Sequence, residues 1–207
     1  VPPTTMKLTA SLLLSAYSQG VFPMGDATGE IAWYDPDPRT ILPLDTFHAP
    51  RSLVQRIGRG GFEVRFNSAF RAVMTACAEP GPKREQTWIT TDIIDAYTEL
   101  HALGFAHSVE TWIDNQLVGG LYGVAIGGLF AGESMFSRTS DASKIALVYL
   151  VEQLRKGGFL LHDVQFMTEH LRRFGAVQIP RQQYKALLKK AMMVWGTFEP
   201  ENSNRHG

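Results

Sequence analysis

A chain of 207 residues, 44% hydrophobic and 19% charged, is long enough to bury a large core and too apolar for a disordered segment. Its 20 basic and 20 acidic residues cancel, so contact with a phosphate backbone must rest on local patches, and the single cysteine, Cys77, excludes an intrachain disulfide and points to a reducing cytosol. No apolar run reaches the roughly 18 residues that span a bilayer, Leu12–Leu14 is too short for a signal peptide, and the lack of Cys pairs and of HExxH argues against a zinc site.

Leu8–Ser18 reads as a helix, with Thr9 or Ser11 as its cap and Gly20 as its stop. The loop signals Pro23, Gly25, Gly29, Pro36 and Pro38 follow, so residues 1–39 are expected to form a small N-terminal lobe and residues 40–207 the main domain. Ile41–Pro43 is a brief strand, and Arg51–Ile57 a helix stopped by Gly58. Phe62–Phe66 alternates as a strand, and Asn67 caps a helix reaching about Ala78, with Phe70, Val73, Met74 and Cys77 on one stripe. A polar loop spans 79–86, and Thr91 or Asp92 opens a helix to Leu103 that Gly104 ends.

Three strands then form an antiparallel meander: His107–Ile113, Gln116–Ala125 and Leu129–Phe136, turning at Asp114–Asn115 and Gly127–Gly128. Ala142–Lys156 is the strongest helix pattern, stopped by Gly157–Gly158. Phe159–Gln165 reads as a buried strand, Thr168–Phe174 as a helix, Val177–Ile179 as a strand and Arg181–Val194 as the last helix. The class is α+β, with helices flanking a mainly antiparallel sheet. Meander, long helix, strand, helix, strand is also the order of the acyltransferase fold of the Gcn5-type N-acetyltransferases (GNAT).

The stretch from Leu129 to Gln165 concentrates the chemistry. Alternation puts Glu133, Met135 and Ser137 on one strand face, and a carboxylate inside an apolar strand needs a partner. Arg138 offers a structural ion pair; a ligand-binding role is the other reading. Asp163 and Gln165 stand two apart on a strand, so both are expected to point into one pocket, where a carboxylate and an amide suit the positioning of a primary amine beside an acyl ester. Gly119-Gly120-x-x-Gly123 lacks the strand-to-helix setting of a phosphate loop and reads as close backbone packing. No serine and no Cys77 motif marks a covalent nucleophile. Basic residues cluster at Arg51, Arg56, Arg59 and Arg65 and again at Arg181, Lys185, Lys189 and Lys190, either as solvated helix faces or as phosphate contacts. Tyr17, Phe22, Trp33, Tyr34 and Trp88 fall in loops or at element ends, where an aromatic is either core or a platform for a base.

The segments AYSQGVFPM (16–24), WYDPDPR (33–39), FHAPRSL (47–53), TWIT (87–90), LGFAHSVETW (103–112), LVGGLYGVAIGGLFAGESMFSR (117–138), ASKIALV (142–148), HDVQ (162–165) and FGAVQIPR (174–181), in that order, resemble the bacterial leucyl/phenylalanyl-tRNA–protein transferases over about residues 8–185. The resemblance implies a GNAT-like domain with a small N-terminal lobe. It implies transfer of Leu or Phe, less often Met, from aminoacyl-tRNA to a protein's N-terminal Arg or Lys, which creates an N-degron for proteolysis. No cofactor, metal or membrane is implied, and a cytoplasmic monomer is expected.

By matching motif, the resemblance assigns Asp163 and Gln165 to the acceptor's α-amine. Asp163 would orient and polarise Gln165, whose carbonyl positions or deprotonates the amine; a neutral amide is a poor base, which favours positioning. Glu133 matches the acidic residue of the aminoacyl site, holding the donor's α-amine or ribose. Leu121, Phe130, Leu147, Leu150 and Leu154 are expected to line the side-chain pocket, with Leu150 and Leu154 standing where the family carries aromatics. Tyr17, Met24 and Trp88 match the surroundings of the 3′-terminal adenosine, with Met24 replacing the family's usual Trp. Arg51, Arg56, Arg59 and Arg65 are the candidates for the tRNA backbone. VPPTTMK stands in place of most of the family's N-terminal extension, with its GLLxxGGDL segment, so the lobe is expected to be short.

Two other readings share some of these features. A peptidyl-bridge transferase of cell-wall precursors shares fold and donor, but no basic amphipathic helix or coiled-coil arm is evident. A non-catalytic tRNA-binding or N-degron-recognition module would not need Asp163, Gln165 and Glu133 intact.

Overall fold

The computed structural model describes residues 8–25, 30–80, 87–199 and 205–206. Its centre is the predicted meander. Strands β4 (Phe62–Phe66), β5 (Ala106–Ile113), β6 (Gln116–Ile126) and β7 (Leu129–Ser137) pair antiparallel in succession. At the β5–β6 turn Asp114 and Asn115 are both left-handed (φ 49° and 60°), a conformation that short polar side chains tolerate and that matches strand twist.

Strand β7 next meets β8 (Leu161–Gln165) in parallel, which requires a crossover. Helix α5 (Ala142–Lys156) supplies it, with the bounds its periodicity predicts. Short strands β3 (Arg39–Ile41) and β9 (Val177–Ile179) continue the sheet beyond β8, and β10 (Arg205–His206) borders β4 at the other edge. The described strands thus order as β10-β4-β5-β6-β7-β8-β3-β9, antiparallel in every pair but β7–β8.

Helices cover both faces. On one, α5 and α2 (Arg51–Gly58) bury Leu53, Ile145, Leu147, Leu150 and Leu154 against Val109, Leu121 and Phe130. On the other, α1 (Ala10–Ser18), α3 (Phe70–Ala78) and α4 (Thr91–Ala102) bury Leu13, Tyr17, Met74 and Tyr97 against Tyr122, Val124 and Ala131. A third cluster joins α7 (Arg181–Ala191) to β3, β8 and β9 through Tyr184, Leu188, Ile41 and Ile179. Gly119 of the glycine signature serves the first face: its Cβ would collide with Ala142 at the start of α5, so glycine lets the helix lie directly on β6.

Several local expectations change. Thr9, and not Ser11, caps α1 by accepting from the Leu12 N–H. The loop expected after α1 contains an antiparallel hairpin of β1 (Phe22–Gly25) and β2 (Ile31–Tyr34). Asn67 does not cap α3. It adopts φ 56° and accepts from the Ser108 N–H, while the Glu110 carboxylate on β5 accepts from the N–H groups of Ser68 and Ala69. A carboxylate at a helix N-terminus satisfies its orphan donors and complements its dipole. Strand β8 starts at Leu161 instead of Phe159, α6 is a single turn (Glu169–Arg172) capped by Thr168, and α7 ends at Ala191 instead of Val194.

Candidate active site

The pairing of β7 with β8 covers only Leu129–Ala131 against Leu161–Asp163, and beyond it the strands separate. An apolar cavity of about 420 Å³ occupies the gap. Leu121, Met135, Leu147, Leu150, Val164 and Leu171 line it, with Glu133, His162 and Gln165 among its polar groups.

A β-bulge places Glu133. Tyr122 pairs with Ser134 and Gly123 with Gly132, which leaves Glu133 without a partner on β6. The extra residue reverses the alternation, so Phe130 and Met135 both pack toward α5 although one position is even and the other odd. The expected common face of Glu133, Met135 and Ser137 is therefore not found. Ser137 bonds Ser143 on α5, whereas Glu133 reaches Tyr17 in the opposite core. Arg138 does not neutralise Glu133 either; it pairs with Glu79 at 2.8 Å.

Glu133 Oε1 accepts from the Tyr17 hydroxyl at 2.6 Å and from Gln165 Nε2 at 3.0 Å. Tyr17 is itself hydrogen-bonded to Tyr97. Burial pushes the Glu133 carboxyl up to about 8, a rise that the Tyr17 hydrogen bond opposes. Burial also raises both tyrosines well above the ordinary phenol value, so they remain donors.

Asp163 faces away from the cavity. His162 and Val164, of the other parity, line the cavity, while Asp163 is wholly buried against Arg39 and Tyr184. Arg39 Nε and Nη2 bond the two carboxylate oxygens at 2.9 and 2.6 Å, and the Tyr184 hydroxyl donates to Oδ2 at 2.8 Å. Burial works against the Arg39 charge, and the hydrogen bond and charge of Asp163 outweigh it, holding the guanidinium above its ordinary value. The two site residues touch through the backbone: Gln165 N–H donates to Asp163 Oδ1 at 2.9 Å. Four donors occupy Asp163, so no acceptor position is left to orient the Gln165 side chain as the sequence suggested.

Gln165 reaches Glu133 by leaving the strand conformation. Its φ of 59° is left-handed, a strain of about 1–3 kcal/mol for a residue other than glycine. The turn brings its amide from the Asp163 side to the cavity. With one Nε2 N–H donated to Glu133, the carbonyl oxygen is the acceptor that the amide can offer a ligand.

The remaining candidates divide. Leu121, Leu147 and Leu150 line the cavity; Phe130 and Leu154 are wholly buried in the core beneath and do not reach it. Tyr17 is only 1% exposed, with its ring edge-on to Tyr97, so it offers no face to a base. Met24 and Trp88 are half-buried and adjacent, Gly25 N–H donating to the Trp88 carbonyl at 3.2 Å. Arg51 and Arg59 are exposed at the two ends of α2. Arg56 donates to the Gly60 carbonyl at 2.7 Å, and Arg65 is tied to Glu63 at 2.7 Å and lies over Trp112, so these two are less available to phosphates.

Arg39, Tyr97 and Tyr184 escaped the sequence reading. For Arg39 a signal existed: a buried Asp163 requires a cation, and Arg39 lies just before the brief strand expected at Ile41–Pro43. Among the described residues no His, Cys, Asp and Glu group forms a metal cage, and no helix is long and apolar enough to cross a membrane.

The models of two successive protein families match this chain: "Leucyl/phenylalanyl-tRNA protein transferase" over residues 41–189, and the N-terminal domain of the same transferase over 6–37. A leucyl/phenylalanyl-tRNA–protein transferase of Herpetosiphon aurantiacus is 56% identical over 195 residues, 94% of this chain and 100% of its own length. The chain belongs to the leucyl/phenylalanyl-tRNA–protein transferase family. A second relative, from Salinibacter ruber, is 54% identical over 90% of this chain and 81% of its own. Among solved structures, a GCN5-related N-acetyltransferase from Kribbella flavida overlays 82% of this chain and 59% of its own at 13% identity and a TM-score of 0.42, too distant to bear on function. The meander, crossover helix and splayed parallel strand keep the element order read from the sequence.

Proposed function

We propose that this chain transfers Leu or Phe, and less often Met, from aminoacyl-tRNA to the N-terminal Arg or Lys of acceptor proteins, and that the new N-terminus is an N-degron. The observation that carries the reading is the apolar cavity with the Gln165 amide and the Glu133 carboxyl at its edge, in a chain of this family. A cavity of about 420 Å³ lined by Leu121, Met135, Leu147, Leu150 and Val164 accommodates a leucine or phenylalanine side chain and offers little to a charged one.

Seated there, the donor places its ester carbonyl beside Gln165. The amide oxygen accepts an N–H of the acceptor's α-amine and aims the nitrogen lone pair at the carbonyl carbon. Nitrogen adds to that carbon, the ester C–O bond to the ribose breaks, and the proton lost by the amine ends on the ribose oxygen. The ester is already activated, so positioning suffices. Glu133, with a carboxyl held up to about 8, meets the donor's α-amine or ribose. Met24 and Trp88 flank the 3′-terminal adenosine, and Arg51 and Arg59, with smaller contributions from Arg56 and Arg65, contact the tRNA backbone. The N-terminal segment that carries Met24 on β1 holds this end of the tRNA, and the protein works in the cytoplasm as a monomer.

The test is transfer of labelled Phe from Phe-tRNA to peptides that differ only in their first residue. Arg- and Lys-ended peptides are expected to be labelled and Ala-ended ones not; failure to label either basic peptide would refute the proposal.

A further inference from the structure

We propose that Arg39 and Tyr184 are positioning residues for Gln165, acting through Asp163, whose role is to hold the backbone of Gln165. The inference rests on the transferase reading above and gives a different task to the acid beside the amide.

The guanidinium of Arg39 is 1% exposed and has a partner in each direction. Nε and Nη2 bond Asp163, Nη1 donates to the Gly20 carbonyl at 3.0 Å, and the plane lies between the rings of Phe22 and Tyr184 at 4.7 and 4.4 Å. A bidentate fork of this kind sets both position and plane of a carboxylate. Asp163 can therefore offer Oδ1 in one direction only, and it offers it to the Gln165 N–H. That bond spans two residues, the pattern of an Asx turn, and it closes the left-handed bend at φ 59°.

The bend decides where the amide goes. With ordinary strand geometry, the Gln165 side chain would follow Asp163 away from the cavity. Bent, it reaches Glu133 at 3.0 Å and lines the cavity. Arg39 stands on β3, Tyr184 on α7 and Gly20 after α1, so three separate parts of the chain converge to hold one backbone N–H in place. Neither Arg39 nor Tyr184 lines the cavity, and each acts at a distance from the reacting atoms.

The test is a double-mutant cycle read in kcat for Phe transfer to an Arg-ended peptide. Arg39→Lys keeps a cation but loses the fork, and Tyr184→Phe keeps the ring but loses one donor. Arg39→Lys is expected to lower kcat about tenfold or more, and Tyr184→Phe about threefold, with KM for Phe-tRNA nearly unchanged. In a Gln165→Ala background the same changes are expected to cost less than about twofold, because the group they position is gone. Equal losses in both backgrounds, or wild-type rates from both variants, overturn the inference. If thermal melting shows Arg39→Lys unfolded, Tyr184→Phe in the two backgrounds decides by the same criteria. A wild-type protein that transfers nothing overturns the underlying reading, an outcome distinct from an active enzyme indifferent to Arg39.

Discussion

Gln165 Nε2 donates to Glu133 Oε1 across 3.0 Å, and each residue stands at a break in its strand. Glu133 is the unpaired residue of a bulge, and Gln165 has left-handed backbone. Two local departures from regular sheet thus turn a carboxyl and an amide toward each other where β7 and β8 part.

Stability is expected to fall as pH rises from about 6.5 to about 8. Burial raises Glu133 from 4.5 to about 8, so the folded chain binds more protons than the unfolded one across that interval. The contribution is complete below the unfolded value and is lost as pH passes the folded one. His107 and His162, pushed by burial from 6.5 to about 4, act oppositely but only below about 6.5. Urea midpoints of wild type should decline between these pH values and those of Glu133→Gln should stay flat; parallel slopes refute the assignment.

Leu150 lines the cavity while Leu154 lies beneath it, so under the proposed function Leu150 sets the width of the donor pocket. Leu150→Phe should reduce Phe transfer more than Leu transfer, by about tenfold in the ratio of kcat/KM, because a filled pocket penalises the larger side chain. The same substitution at Leu154 should act on stability instead, overpacking the core by about 1–3 kcal/mol. Competition between Leu-tRNA and Phe-tRNA measures the first effect, and chemical unfolding the second.

Replacing Arg51 and Arg59 together with Gln should weaken tRNA binding and lower the slope of log K against log salt by up to about two, roughly one for each phosphate that is no longer neutralised. An unchanged slope in filter binding at several salt concentrations removes α2 from the tRNA footprint.

Gly123→Ala is expected to destabilise by about 2 kcal/mol or more, since its Cβ would collide with the Ala131 carbonyl and the Phe130 ring at the bulge. A midpoint of urea unfolding equal to that of wild type contradicts this packing.

Much of the frame was legible in the sequence because its signals are local. The α5 boundaries follow from helical periodicity between clear stops, the meander from alternation and turn residues, and the glycine signature from the missing phosphate-loop context. Of the candidate site, the sequence offered residue identities and no geometry. Its geometry rests on exceptions to periodicity, and neither the bulge at Glu133 nor the bend at Gln165 leaves a compositional trace. Long-range pairing hid the rest: Arg39 and Asp163 meet across 124 positions, and Glu110 reaches back from β5 to the start of α3. The β1–β2 hairpin was obscured by its own Pro23 and Gly25, which read as loop.

The most direct measurement is single-turnover transfer of Phe from saturating Phe-tRNA to an Arg-ended peptide, comparing wild type with Gln165→Ala. Gln165→Ala is predicted to bind Phe-tRNA as wild type does and to form the peptide bond about a hundredfold more slowly, as expected when the acceptor amine loses its orienting group. Equal rates of bond formation would contradict the account.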